Sequence, residues 1–260
     1  MTKRHQRRDL KQVPKDKQPK FVENDEAIIR AVYEARYLSA DLIIDLLFRE
    51  TLAKWAYGRL RDLYDLKFLD KRVTFANLPD VYFLGLQGRR YFKKLGCENV
   101  DETAGDSGGT PLDTLLWMRH DLTVSKLYVW ARLEAARRGW EMEWKNARVL
   151  EVEKLGVQPD GWIRVGKPGQ MFEGYIEFTN QLTSRAEIEK KIRQYQGRGN
   201  VLWFTTTEAK LRAIQPHLTG HYALALVEEA KEWLTAPIWH WQGQKRSWIT
   251  ATSAGRGNLD

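Results

Sequence analysis

The sequence predicts an α+β protein in two parts: a helical N-terminal domain closed by a small hairpin, and a C-terminal α/β domain with a mixed central sheet. Three observations predict it. Apolar residues recur at helical spacing from residue 24 into the mid-sixties, and two short strand-like runs follow. The stretch "NVDETAGDSGGTP" (99–111) is rich in Gly, Asp, Ser and Thr without apolar periodicity, as a linker is. Beyond it a long helical pattern gives way to three short strands and then to alternating helix and strand.

A chain of 260 residues is long enough for two modest domains, and 43% hydrophobic with 29% charged residues fits a globular protein. No apolar run reaches the roughly 20 residues that span a bilayer, and the basic N-terminus lacks the apolar core of a secretory signal. The single Cys97 excludes an internal disulfide and suits the reducing cytoplasm, where the protein is expected. The net charge of +8 is uneven. Residues 1–20 hold eight Lys/Arg against Asp9 and Asp16, leaving +2 for the other 240 residues. So polar a segment is expected to be a disordered basic arm, whose Arg4, Arg7 and Arg8 follow a phosphate backbone or simply keep the chain in solution.

The first domain is placed at 21–98. "NDEAIIRAVYEARYL" opens it, with Asn24 or Asp25 as cap and Ile28, Val32 and Ala35 as the apolar stripe. "SADLIIDLLF" is a second helix capped at Ser39. The third starts near Thr51, with Leu52, Ala56, Leu60 and Leu63 on one face and Lys54, Tyr57, Gly58 and Arg61 opposite. "FLDKRVTF" and "DVYFLG" are strands joined through Asn77 and Pro79, and "LQGRRYFKKLG" is a basic last helix. This is the element order of a winged helix-turn-helix, whose third helix enters the major groove. It nominates Lys54, Tyr57 and Arg61 for bases or nearby phosphates, Lys71 and Arg72 for the wing, and Arg89, Arg90, Lys93 and Lys94 for the backbone. A protein-docking winged helix with a solvated basic face remains open.

The second domain is placed at 112–242, ahead of a flexible tail at 243–260. Its first helix runs from Pro111 to Gly139, with Leu122, Lys126, Val129, Leu133 and Ala136 on one side. Three strands follow: "WEMEW" with "ARVLEVE", then "VQPDGWIRV", then "QMFEGYIEF", the last two joined at Gly166-Lys167-Pro168-Gly169. A helix capped at Ser184, the buried strand "NVLWFTTT", the helix "EAKLRAIQPHL", the strand "YALALV" and the short helix "EEAKEWL" complete it. Trp117, Trp130, Trp162 and Trp203 fall on apolar faces as core residues, while Trp239, Trp241 and Trp248 lie near the tail.

This order matches the restriction-endonuclease-like, or PD-(D/E)XK, core, with Asp160 on the second strand and Glu177 on the third. Two carboxylates on adjacent strands can hold Mg²⁺ or Mn²⁺ beside a scissile phosphate, and a lysine commonly helps them. Such nucleases carry that lysine two residues after the glutamate, where this chain has Thr179. Lys190 or Lys191 on the next helix is the candidate replacement, with Gln194 and Tyr195 facing the site and Glu134 as a third acid. Read blandly, Asp160 makes a Pro-Asp-Gly turn, Glu177 forms an ion pair and the lysines are solvated. His217 and His221 have metal-ligand spacing, but Pro216 and Gly220 break any helix joining them.

Taken together, the helix–hairpin run, "RHDLTVSKLYVWARL", "PDGWIRV", "EGYIEFTNQLTSRAEIEKKIRQYQG" and "VLWFTTTEAKLRAI" resemble the replication-relaxation family of bacterial plasmids, phages and integrative elements, from about residue 25 to 241. The resemblance implies a winged helix joined to a nuclease-like domain. Asp160 matches the family's Pro-Asp aspartate, Glu177 its strand glutamate and His120 a recurrent histidine before the long helix. Where the family commonly has an aspartate two residues after the glutamate, Thr179 departs from it. The expected function is DNA binding in replication, transfer or regulation of a mobile element, with a degenerate nuclease-like domain and no cofactor required for binding. The rival is a Mg²⁺- or Mn²⁺-dependent endonuclease or nickase using Asp160 and Glu177. Expected partners are double-stranded DNA, with replication or transfer proteins and a second copy of the chain as further candidates, and no membrane.

Overall fold

The computed structural model describes residues 6–49, 51, 53–72, 80–97, 100, 111–152, 157–180, 184–218, 222–241 and 244–247. Arg4, Leu52, Asn77, Pro79, His221, Trp248 and the rest of the tail from 248 lie outside the described residues, as does the expected linker apart from Val100 and Pro111. The chain is a mixed α+β protein that divides into two compact units, Met1–Ser125 and Lys126–Asp260, the division falling inside a long helix. No helix among the described residues is long and apolar enough to cross a membrane.

The N-terminal unit contains α1 (Glu23–Ala35), β1 (Leu38–Ser39), α2 (Ala40–Leu47), α3 (Ala53–Asp65), β2 (Leu69–Arg72), β3 (Val81–Leu84) and α4 (Leu86–Lys94). The strands form an antiparallel sheet in the order β1-β3-β2; β1 is too short for sequence periodicity to reveal. Ser39 caps α2 by accepting the Leu42 N–H at 3.3 Å. α1 begins earlier than Asn24 or Asp25 would have it. Asp25 sits inside the first turn, where its carboxylate accepts the Val22 N–H at 2.8 Å and pairs with Arg59. The core gathers Ile28, Ile29, Val32, Leu38, Ile43, Phe92 and the α3 stripe Ala56, Leu60 and Leu63.

Residues from Gln6 onward, expected to be part of a disordered arm, have a defined path along α3. The reason is electrostatic: Asp65 is buried on the last turn of α3, and a buried carboxylate needs donors and a positive charge. The Arg8 backbone N–H donates to it at 2.8 Å, the Arg8 guanidinium pairs with it, and Arg61 Nε approaches at 3.1 Å. Arg8 also reaches Asp62 at 2.6 Å, and Arg7 donates to Tyr64 O at 2.8 Å while pairing with Asp70 at 3.2 Å.

The first half of α5 (Pro111–Arg138) belongs to the N-terminal unit, where Ser125 Oγ donates to Ala35 O at 3.2 Å. Its buried apolar residues include Val124, Leu127, Tyr128, Val129, Ala131 and Ala135; of the expected stripe only Val129 is buried, Leu122 and Leu133 are half-buried, and Lys126 and Ala136 are exposed. Trp117, expected in a core, is 64% exposed.

The C-terminal unit is a seven-stranded sheet with helices. In chain order come β4 (Glu141–Asn146), α6 (Ala147–Val152), β5 (Gly161–Lys167), β6 (Gln170–Thr179), α7 (Arg185–Tyr195), β7 (Val201–Thr205), α8 (Glu208–Ile214), β8 (Tyr222–Leu226), β9 (Trp239–Trp241) and β10 (Gln244–Arg246). The strand order is β10-β9-β8-β7-β6-β5-β4; β6, β7 and β8 run parallel and the remaining pairs are antiparallel. Three local expectations change. "ARVLEV" is the helix α6 rather than a strand, "VEEAKE" is a 3₁₀ turn, and Gln244–Arg246 of the expected tail pairs with β9. β7 is buried throughout, as its unbroken apolar run requires. Its Trp203 packs with Ile188, Leu211, Ile214 and Leu224 on one face, and its Phe204 meets Trp233 and Trp239 on the other.

Truncating Arg8 to alanine is expected to cost about 1–2 kcal/mol, because Arg61 still faces Asp65 and Arg8 is partly exposed. Removing Arg8 and Arg61 together strands a buried charge and is expected to cost about 3–5 kcal/mol. Urea unfolding of the full chain measures both; additive, sub-kcal losses would remove the network's structural role.

Candidate functional site: a buried carboxylate pair

Strand β6 alternates, so Tyr175, Glu177 and Thr179 share the face covered by α7, while Ile176 and Phe178 face the other way. Glu177 is fully buried in mid-sheet, opposite Trp203 of the parallel neighbour β7. Asp160 lies just before β5 rather than within it. Its N–H donates to Ile176 O at 3.0 Å and its Oδ2 accepts the Phe178 N–H at 2.7 Å. Those two bonds straddle Glu177 and bring the carboxylates side by side.

α7 completes the site. Its capping box at Ser184 and Glu187 fixes where the helix begins. Two turns on, Lys191 and Tyr195 fall four residues apart on one face, and both reach down. Lys191 Nζ pairs with Glu177 Oε2 and the Tyr195 hydroxyl donates to Glu177 Oε1. The ammonium stands 5.8 Å from the centre of the Trp203 ring. The Trp203 indole N–H in turn donates to Thr179 Oγ1 at 2.8 Å. Position 179 therefore has a packing role, and the positive charge comes from Lys191.

The other nominated residues separate from this cluster. Lys190 is exposed on α7, one residue out of phase with Lys191, and Gln194 is half-buried. Glu134 is buried on α5 but serves residues 234–235: it accepts the Leu234 N–H at 3.0 Å and the Thr235 hydroxyl. His120 stands 3.4 Å from Asp121 within the N-terminal unit, and His217 lies 3.9 Å from Glu189.

Burial raises the Glu177 carboxyl to about 7, helped by the adjacent Asp160 charge; Lys191 and Tyr195 pull it back only in part. Burial disfavours the Lys191 ammonium, but the charges of Glu177 and Asp160 outweigh this and raise it overall. Burial, then the Glu177 charge, pushes the Tyr195 hydroxyl far up and that of Tyr222 to about 12. These residues do not fit a resident divalent cation. Both Glu177 oxygens already take donors, one Asp160 oxygen takes the Phe178 amide, and no cluster of three acid, histidine or cysteine ligands occurs among the described residues.

On the N-terminal unit, the start of α3 exposes Lys54, Trp55, Tyr57 and Gly58. Tyr57 is 47% exposed, its hydroxyl 3.3 Å from Asp41 Oδ1. Other nominated residues are engaged with acids or backbone of their own unit. Arg7, Arg8 and Arg61 serve the Asp62–Asp65–Asp70 acids, and Lys71 is 7% exposed and pairs with Asp80 at 2.7 Å. Arg72 ends β2 opposite Val81, and Arg89 donates to Leu84 O at 2.9 Å. Arg90, Lys93 and Lys94 are exposed on α4. Sequence spacing missed Trp55, although it adjoins Lys54. It also missed Arg59, which holds buried Asp25.

Compared with known proteins, the chain matches no family model, no curated protein and no solved structure.

The Glu177 carboxyl is raised above its unfolded value, so the folded chain binds the extra proton. Its contribution to stability is full below pH 4.5, falls as pH rises through about 7, and is flat above. Glu177→Gln is expected to abolish this pH-dependent difference. Urea unfolding of both proteins from pH 5 to 8 checks it, and parallel stability curves would contradict it.

Proposed function

We propose that the protein binds double-stranded DNA through its N-terminal unit, a winged helix-turn-helix, and that its C-terminal unit is a nuclease-like fold that does not cleave. The observation that carries this is the charge distribution. Residues 1–97 hold 21 Lys/Arg against 13 Asp/Glu, the whole net +8, whereas residues 98–260 hold 21 of each. A phosphate backbone is drawn to the first and not to the second. Three helices, a three-stranded sheet and a fourth helix agree with a winged helix, and the exposed start of α3 supplies the surface that enters the groove. On this reading Lys54 and Tyr57 face the DNA, with Arg90, Lys93 and Lys94 along the backbone. Arg7, Arg8, Arg61 and Lys71 are engaged with the unit's own acids. The resemblance to the replication-relaxation family sets the process as replication, transfer or regulation of a mobile element.

A second reading, a Mg²⁺- or Mn²⁺-dependent endonuclease or nickase, is favoured by one observation: Asp160, Glu177 and Lys191 are gathered at one place. Supercoiled, linear and single-stranded DNA incubated with either metal decides it. Cleavage lost in both Asp160→Ala and Glu177→Ala would establish the enzyme; intact binding without cleavage is the expected result.

For the DNA claim, Lys54→Ala with Arg90→Ala, Lys93→Ala and Lys94→Ala is expected to flatten the dependence of log affinity on log salt by about 3–4. Fluorescence anisotropy on a random-sequence duplex measures it, and an unchanged slope would move the DNA surface elsewhere.

A further inference from the structure

We propose that Lys191 is the resident cation of the Asp160–Glu177 pair, and that removing its ammonium opens a latent site for a hard divalent cation. This goes beyond the DNA-binding reading and does not depend on it. Two carboxylates held side by side, one fully buried, require a nearby positive charge. Above the range in which Glu177 takes up a proton, that charge is either an ion from solvent or a side chain of the protein itself. Here the protein supplies it: Lys191 descends from α7 onto Glu177 Oε2, its ammonium over the Trp203 ring. Tyr195 takes the second Glu177 oxygen, and Phe178 N–H takes one of Asp160.

A divalent cation entering this arrangement would meet the ammonium head-on. Mg²⁺ and Mn²⁺ bind through one or two carboxylates and complete their shells with water. The carboxylates are there, but Lys191 is paired with Glu177 Oε2 within the field of Asp160, and its side chain is 36% exposed, so it stands where an ion arriving from solvent would meet Glu177. Removing the ammonium leaves a net deficit of positive charge and a gap on the solvent side. The oxygen-rich chemistry of that gap selects a hard cation over a soft one. Arginine at 191 would keep the charge and keep the site shut.

The test uses the full chain and Mn²⁺ alone, read by the electron paramagnetic resonance signal of the free ion and by the thermal unfolding midpoint. Wild type and Lys191→Arg are expected to leave the Mn²⁺ signal and the midpoint unchanged. Lys191→Met keeps the apolar stem against Trp203 and is expected to bind Mn²⁺ at least about tenfold more tightly, with a raised midpoint. Adding Asp160→Asn to Lys191→Met is expected to remove that gain. Wild type binding Mn²⁺ as tightly as Lys191→Met would overturn the proposal, as would a folded Lys191→Met with no gain. Should Lys191→Met not fold in the apo state, recovery of its near-ultraviolet circular dichroism on adding Mn²⁺ supports the proposal, and no recovery overturns it. DNA affinity is read separately on the same proteins, so failure of either proposal leaves the other standing.

Discussion

A carboxylate buried in the middle of a sheet governs how the C-terminal unit is assembled. Glu177 has no solvent to share its charge, so α7 must lie where Lys191 and Tyr195 can both reach it. That sets the rotation of the helix, which brings Ile188 onto Trp203 and Leu224. The same requirement recurs elsewhere. Asp25 is matched by Arg59, Asp65 by Arg8 and Arg61, and Glu134 by Arg138, Thr235 and the Leu234 amide. Hydrophobic burial drives each unit to collapse, and these matched acids restrict the arrangements in which collapse leaves no charge stranded.

This internal matching decides which cations remain for a partner. Several arginines that look like a nucleic-acid surface along the sequence hold the protein together instead. The outward basic side chains include Lys54 at the start of α3 and Arg90, Lys93 and Lys94 on α4, together with Lys11, Lys15, Lys17, Lys20, Arg30, Arg49 and Lys67 elsewhere on the unit. Ions facing outward are screened by salt, whereas the Asp65 network is shielded by the protein around it. Ionic strength therefore acts mainly on the surface set.

Local signals in the sequence carried well into the structure. Ser39 caps a helix because its partner lies three residues on, and β7 is a buried strand because nothing in its run tolerates water. The nearness of Asp160 to Glu177 was legible because turn and strand chemistry place one at the entry to β5 and the other on its neighbour β6. Partners far along the chain were not legible. Arg8 meets Asp65 across 57 residues and Trp203 meets Thr179 across 24, and no periodicity encodes either. α5 carries apolar residues on more than one side, so spacing alone could not choose the buried one. "ARVLEV" is short, carries two β-branched valines and follows a strand, so the sequence reads as a continuation of that strand, yet its backbone coils directly after β4.

The bond between Trp203 and Thr179 restricts which residue position 179 accepts. Trp203 is wholly buried and its indole N–H has an acceptor in Thr179 Oγ1. Lysine offers no acceptor, so installing the familiar nuclease lysine at 179 would orphan that N–H at a cost of about 1–3 kcal/mol. It would also bring a second ammonium towards Lys191. A lysine at 179 would therefore be tolerated best where position 203 or 191 changes with it. Thr179 is thus tied to its neighbouring strand by an acceptor that lysine lacks, and the identity of one surface-seeming position is set from the buried side.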